Sequence, residues 1–172
     1  MFKFAEYLSF TPMKMRLSLF LAAVLLALTA CQGEVREANI NQDKYIDDYI
    51  SKNYADSTVY HNGGASRVVL VQGPQGAPVI ERGDSVYLFY AGYTFGQRGP
   101  ETQFVLDSAM IRFGSGDLIK GLERGLEGAR QGEEALVFFS ADDGYGSQAV
   151  GLVPENTALL FDVGVAWIKK NQ

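Results

Sequence analysis

Apolar and polar residues alternate with a period of two through RGDSVYLFYAGYTF, from Arg82 to Phe95. Val86, Leu88 and Tyr90 fall on one face and Tyr87 and Phe89 on the other, as on a half-buried strand. The same signal predicts strands over Arg67 to Val71, Glu134 to Ser140 and Ala158 to Lys169. Phe104 to Phe113 reads as another, bent near Asp107 and Ser108. In the last strand Leu159, Phe161, Val163, Val165 and Trp167 are expected to face inward.

The period changes in two places. Within GSGDLIKGLERGL, Gly114 to Leu126, the residues Ile119, Leu122 and Leu126 recur at offsets of three and four, which predicts a short helix. Its charged residues Lys120, Glu123, Arg124 and Glu127 read as a solvated face. Within NQDKYIDDYISKNY, Asn41 to Tyr54, the residues Tyr45, Ile46, Tyr49 and Ile50 form a second helical stripe, expected to pack on the domain. Asn62-Gly63-Gly64 and Gly73-Pro74-Gln75-Gly76 are turn signals. GQRGPET, Gly96 to Thr102, and ADDGYGSQAVGLVP, Ala141 to Pro154, read as loops. Strands in runs with one inserted helix predict an α+β fold with an antiparallel sheet. The helix enclosed by strands is expected to floor a small apolar pocket, and that pocket to be the active site.

The chain has 172 residues, room for one domain and a tail. Its net charge is −5. Residues 1–30 carry Lys3, Lys14 and Arg16 against Glu6, so the remainder stands at −5 − 2 = −7. An acidic body argues against nucleic acid or an anionic membrane face as an electrostatic partner. The one cysteine, Cys31, excludes an internal disulfide and cysteine-rich zinc sites. The one histidine, His61, lies in the loop-like HNGGAS, and no G-x-S-x-G turn presents a serine to it. Asp142-Asp143-Gly144 lacks the alternating ligands of a calcium loop, and Gly114 and Gly116 lack dinucleotide-loop spacing. No metal or cofactor is expected.

Residues 13–31 read MKMRLSLFLAAVLLALTAC. Lys14 and Arg16 precede an apolar run, Leu17 to Leu28, of signal-peptide length. Leu28-Thr29-Ala30-Cys31 resembles a bacterial lipobox. The resemblance implies cleavage before Cys31 and acylation of that residue, hence a lipid-anchored envelope protein. Gln32 leans the sorting toward the outer membrane. The basic residues sit unusually far from Met1, so translation starting at Met13 or Met15 is an alternative. The expected organisation is a signal peptide over 1–30, a tether with a short helix over 31–66, and the domain over 67–172.

The order of motifs then becomes recognisable. GDSVYLFYAG, RFGSGDLIKGLERGLEGARQGEEALVFFSADDGYG and LVPENTALLFDV together resemble an FKBP-type peptidyl-prolyl cis–trans isomerase, over Arg82 to Ile168. The resemblance implies a twisted antiparallel sheet wrapped around one short helix, with a proline pocket between them. By motif it assigns catalytic positions to Tyr90, Asp107, Ile119, Tyr145 and Phe161, and substrate contacts to Phe104, Leu118, Leu122, Leu152 and Val153. Phe104 or Leu106 takes the place of the family's phenylalanine before the aspartate. Leu122 stands where the family often has tryptophan.

The implied reaction breaks no covalent bond. Peptide rotation faces a barrier of ~18–20 kcal/mol, and Xaa-Pro isomers interconvert slowly although they lie within about 1 kcal/mol. An apolar pocket favours the less polar twisted amide. The Tyr145 hydroxyl would hold a substrate carbonyl, and Asp107 would orient Tyr90 or face the carbonyl carbon. The implied partners are proline-containing segments of folding envelope proteins, met by a monomer. The alternative is a non-catalytic binding or holdase module on the same fold.

Overall fold

The computed structural model of the chain describes residues 41–171. The apolar N-terminal run and Cys31 lie outside the described residues.

Six strands form one antiparallel sheet: β1 (Thr58–Asn62), β2 (Ala65–Val71), β3 (Ser85–Gly96), β4 (Gly99–Arg112), β5 (Glu134–Phe139) and β6 (Ala158–Lys169). Their order across the sheet is β1-β2-β5-β6-β3-β4. A helix through residues 41–53 (α1) and a seven-residue helix, Lys120–Leu126 (α2), complete the fold.

The helices cover opposite faces of the sheet. On the inner face Leu122 and Leu126 of α2 join Val86, Leu88, Val137, Phe139, Phe161 and Val163 in the main core. On the outer face Ile46 and Ile50 of α1 pack on Val68, Phe95, Leu136, Phe138 and Leu160. β5 and the start of β6 are therefore buried on both sides. That accounts for their unbroken apolar runs, ALVFF and ALLF.

α2 is too short to be stable alone, so tertiary contact fixes its place. Gly121 and Gly125 face β5. A Cβ on Gly121 would overlap the Phe139 ring, and one on Gly125 would overlap Val137. The buried Arg67 of β2 holds the C-terminal end. Its Nη1 donates to the carbonyls of Gly125 (2.9 Å) and Glu127 (3.0 Å). Its Nε pairs with Glu133 at 3.1 Å.

Several expectations change. GQRGPET is the tip of a tight hairpin rather than a loop, since β3 runs to Gly96 and β4 begins at Gly99. Its polar composition hides the strands, which are pinned by Thr94 Oγ1 accepting from the Thr102 amide at 3.0 Å. Trp167 faces outward. Tyr87 pairs with Trp167 but Leu88 pairs with Val165, so Ala166 is an extra residue in β6 and reverses the alternation. Ile168 takes the buried position instead. His61 lies in β1, with Nδ1 2.9 Å from Ser66 Oγ. The sheet starts ahead of residue 67, and α1 packs on it, so the helix and β1 belong to the domain rather than to a tether.

The glycine contact generates a test. Alanine gains up to about 1 kcal/mol over glycine in helix propensity, whereas overpacking a core costs about 1–3 kcal/mol. Val137 is fully buried and has nowhere to move. Gly125→Ala is expected to lose about 1–2 kcal/mol in urea unfolding. Gly164→Ala, whose methyl group meets nothing within 4 Å, is expected to stay within about 0.5 kcal/mol of the parent.

Candidate active site

A concave pocket of about 360 Å³ opens between the leading end of α2 and the inner face of β3, β4 and β6. Phe161 of β6 forms its base. That ring stacks on Phe139 (centroids 5.9 Å, 13°) and meets Phe104 edge-on (5.6 Å, 84°). Leu118, Ile119 and Leu122 form the helix side, Tyr90 and Phe104 the sheet side, and Tyr145 and Leu152 the far rim. Leu122 is buried beneath them.

Two features of β3 and β4 shape the sheet side. Gly92 pairs with Val105, but Tyr93 pairs with Gln103, which leaves Phe104 as a bulged residue. The bulge turns both Phe104 and Val105 toward the pocket. Gly92 makes room for them: a Cβ there would sit 2.7–2.9 Å from Val105, Phe104 and Phe161. Leu106 is 74% exposed, so Phe104, not Leu106, is the aromatic in the pocket.

The loop carrying Tyr145 is held from two directions. Asp143, with a side chain 4% exposed, pairs with Lys120 Nζ through Oδ1 and with Arg124 Nη1 through Oδ2, both at 2.6 Å. Lys120 and Arg124 keep their place on the solvated face, 57% and 39% exposed, and reach from it to a buried carboxylate. From α1, the Gln42 side chain accepts from the Ala141 amide (2.8 Å) and donates to the Asn156 carbonyl (2.7 Å). Inside the loop the Gly146 amide donates to Ala141 (2.8 Å) and its carbonyl accepts from Asn156 (2.7 Å). Among the described residues no hydrogen-bond partner engages the Tyr145 hydroxyl.

Eight of the ten positions assigned by motif line this one pocket: Tyr90, Phe104, Leu118, Ile119, Leu122, Tyr145, Leu152 and Phe161. Asp107 and Val153 do not. Asp107 stands opposite Tyr90 in the β3–β4 register, but it is exposed and accepts from the Ser108 amide at 2.7 Å. Burial raises the Tyr90 pKa, and Asp107 and Tyr145 add to the rise. Val153 is buried in the core, bridged to Val150 by two 2.9 Å backbone hydrogen bonds. The motif reading missed Val105, Asp117, Val150 and Gly151, which also line the pocket. It missed Gly92 too, although a glycine inside an alternating strand signals close approach. Among the described residues no group of three His, Cys, Asp or Glu side chains is placed to hold a metal ion.

A six-stranded antiparallel sheet with a short helix over an aromatic pocket defines the FKBP fold. The model of the FKBP-type peptidyl-prolyl cis-trans isomerase family matches residues 77–166, just over half of the chain. The chain belongs to that family. It is 28% identical over 111 residues to FK506-binding protein 1 of Aspergillus oryzae, covering 58% of this chain and 94% of that protein. Among solved structures it is similar to a peptidyl-prolyl cis-trans isomerase from Pseudomonas syringae (TM-score 0.62, 19% identity, 78% of this chain and 96% of that one). It is similar also to FkpA from Escherichia coli (TM-score 0.59, 18% identity, 94% and 74%). At these identities the two structures establish the fold alone.

The Asp143 clamp gives the site a pH limit. Burial pushes this carboxyl up, but the hydrogen bonds and charges of Lys120 and Arg124 outweigh it and hold the pKa below the ordinary value. A group with a depressed folded pKa contributes stability that is complete above its unfolded pKa, about 3.9, and lost as pH falls through the folded value. The stability difference between the parent and Asp143→Asn is therefore expected to be constant from neutral pH to about pH 5 and to shrink below about pH 4. Urea titrations across pH measure it. A difference that persists undiminished in strong acid would show that the ionised carboxylate is not what holds the loop.

Proposed function

We propose that the chain catalyses cis–trans isomerisation of Xaa-Pro bonds in folding polypeptides of the bacterial cell envelope, anchored there through lipid on Cys31. The observation that carries the catalytic reading is the convergence of Phe161, Ile119 and Leu122 with one unengaged tyrosine hydroxyl, Tyr145, at the rim. The apolar walls take the proline ring and exclude water. The planar amide, with its charge separation, loses its solvation there, and the twisted amide loses less. The Tyr145 hydroxyl holds one carbonyl while the bond beyond it turns. No nucleophile or cofactor has a part in this reaction. Anchorage rests on the lipobox-like Leu28-Thr29-Ala30-Cys31 behind an apolar run, and places the isomerase where envelope proteins emerge.

A second reading, a module that binds proline-containing chains without accelerating them, is favoured by one observation. The only acidic position assigned to catalysis, Asp107, is exposed and does not line the pocket. Exchange rates of Xaa-Pro peptides decide between the readings, and acceleration at micromolar protein is expected. Binding without acceleration would leave the module reading in place.

Tyr145→Phe removes one hydrogen bond, worth about 0.5–1.5 kcal/mol, and is expected to slow exchange by about two- to tenfold. Phe161→Leu, chosen because Phe161→Ala would open a core cavity of about 3–5 kcal/mol, is expected to slow it further with the fold intact by thermal melting. A full-rate Phe161→Leu enzyme would sink the pocket assignment. Separately, Cys31→Ser is expected to abolish incorporation of labelled fatty acid in bacterial expression. Undiminished labelling would dismiss the anchor.

A further inference from the structure

α1 covers only part of the sheet's outer face. Beyond it, three successive register rows across β4, β3 and β6 stand open. The first row carries Arg112 and Lys169, the second Met110, Tyr87 and Trp167, the third Phe89. Two serines and a glycine complete the rows, and none of the nine positions is a carboxylate, in a chain with 20 acidic and 15 basic residues. Met110 is 56%, Phe89 55% and Trp167 43% exposed. Single exposed apolar residues are ordinary, whereas a contiguous group marks an interaction surface. This group is built. The extra residue Ala166 re-aims Trp167 outward, Tyr87 meets Phe89 edge-on at 5.3 Å, and the Tyr87 hydroxyl bonds Ser108 Oγ at 3.0 Å.

The cations sit at one border of this strip. Arg112 and Lys169 flank a groove of about 630 Å³ that also touches Ser85 and Asn171. Among the described residues neither cation forms an ion pair. Their neighbour Lys170 is engaged by Glu81 and Asp84, each at 2.7 Å. The nearest carboxylates in register, Glu134 and Asp162, lie at the opposite border, beside α1.

We propose that this face rests on a phospholipid bilayer. Arg112 and Lys169 would take headgroup phosphates, and Trp167, Met110 and Phe89 would enter the interfacial layer beside them. Tryptophan and tyrosine, apolar rings with one polar atom, are suited to that layer. The net negative charge of the body opposes an anionic surface in most orientations, and the nine positions of these three rows present no carboxylate to it. The proposal rests on the anchorage above only in that the anchor brings the face within reach of lipid.

Trp167 is the only tryptophan in the chain, so its fluorescence reports this face alone. The full-length chain is mixed with vesicles of phosphatidylcholine and phosphatidylglycerol. Sedimentation scores attachment and tryptophan emission scores contact. The expected result is a shift of emission to shorter wavelength and quenching by lipids brominated on their acyl chains. In Arg112→Glu/Lys169→Glu the chain should still sediment through its N-terminal segment, with emission unshifted and isomerase rate unchanged. Attached chain with unmoved emission in the parent overturns the proposal and leaves anchorage standing. A chain that neither sediments nor shifts overturns both. A shift that grows with protein concentration without vesicles, or that needs an unfolded polypeptide instead of lipid, assigns the face to another occupant and overturns it too.

Discussion

The contact on which the rest of the molecule depends is the close approach of α2 to β5. Gly121 and Gly125, one turn apart, let the helix backbone lie against Phe139 and Val137 with no side chain between. A seven-residue helix has almost no stability of its own, so its position is whatever this contact and its polar ties dictate. With Gly125 seated, Arg67 reaches the helix's final carbonyls. With Gly121 seated, Ile119 and Leu122 project over Phe161. The pocket's width is thus set by the absence of two methyl groups on the far side of the helix.

The polar ties extend this constraint to the loop that carries the Tyr145 hydroxyl at the pocket rim. Asp143 couples the Tyr145 loop to α2, and Gln42 couples the same loop to α1. Both partners are buried: Gln42 is 6% exposed and Asp143 3%. A buried polar group costs most when left unpaired, so each disfavours loop positions that would strand it. Tyr145 is held by its backbone neighbours and by its ring against Phe104, while its hydroxyl has no hydrogen-bond partner among the described residues. Such an arrangement positions a hydrogen-bond donor without occupying it. α1 is therefore a structural element of the site; its apolar stripe predicts packing on the domain but not the polar tie from Gln42.

What was legible in the sequence was local. Alternation over Val86 to Tyr90 and the three-and-four spacing of Ile119, Leu122 and Leu126 place the strands and the helix, because both depend on which residues face a core. Bulges defeat such reading. One extra residue at Ala166 reverses Trp167 and Ile168, and one at Phe104 brings two consecutive residues to the pocket. Neither has a signature in composition. Long-range charge partners are equally hidden: nothing near Lys120 or Arg124 in the chain announces Asp143. The fold brings eight of the ten positions named by motif to one pocket, from strands, the leading end of α2 and the Tyr145 loop. Val153 lies outside that lining, where a two-bond turn sends one of two adjacent apolar residues inward. At Asp107 the edge strand lets the side chain bond its own backbone neighbour.

The sheet separates two kinds of surface by its pleat. Successive residues of β3 point alternately into the core and pocket side and onto the outer face: Leu88 and Tyr90 inward, Tyr87 and Phe89 outward. The same strand therefore supplies a wall of the apolar pocket and part of the exposed aromatic strip, about a sheet's thickness apart. A side chain on one face can be changed without touching the other, since the backbone between them is locked by hydrogen bonds to both neighbouring strands. A body lying on its outer face would keep the pocket mouth directed away from whatever it lies on. On the proposed function, that geometry would leave a polypeptide an open approach to the pocket, while the outer face would take no part in the chemistry.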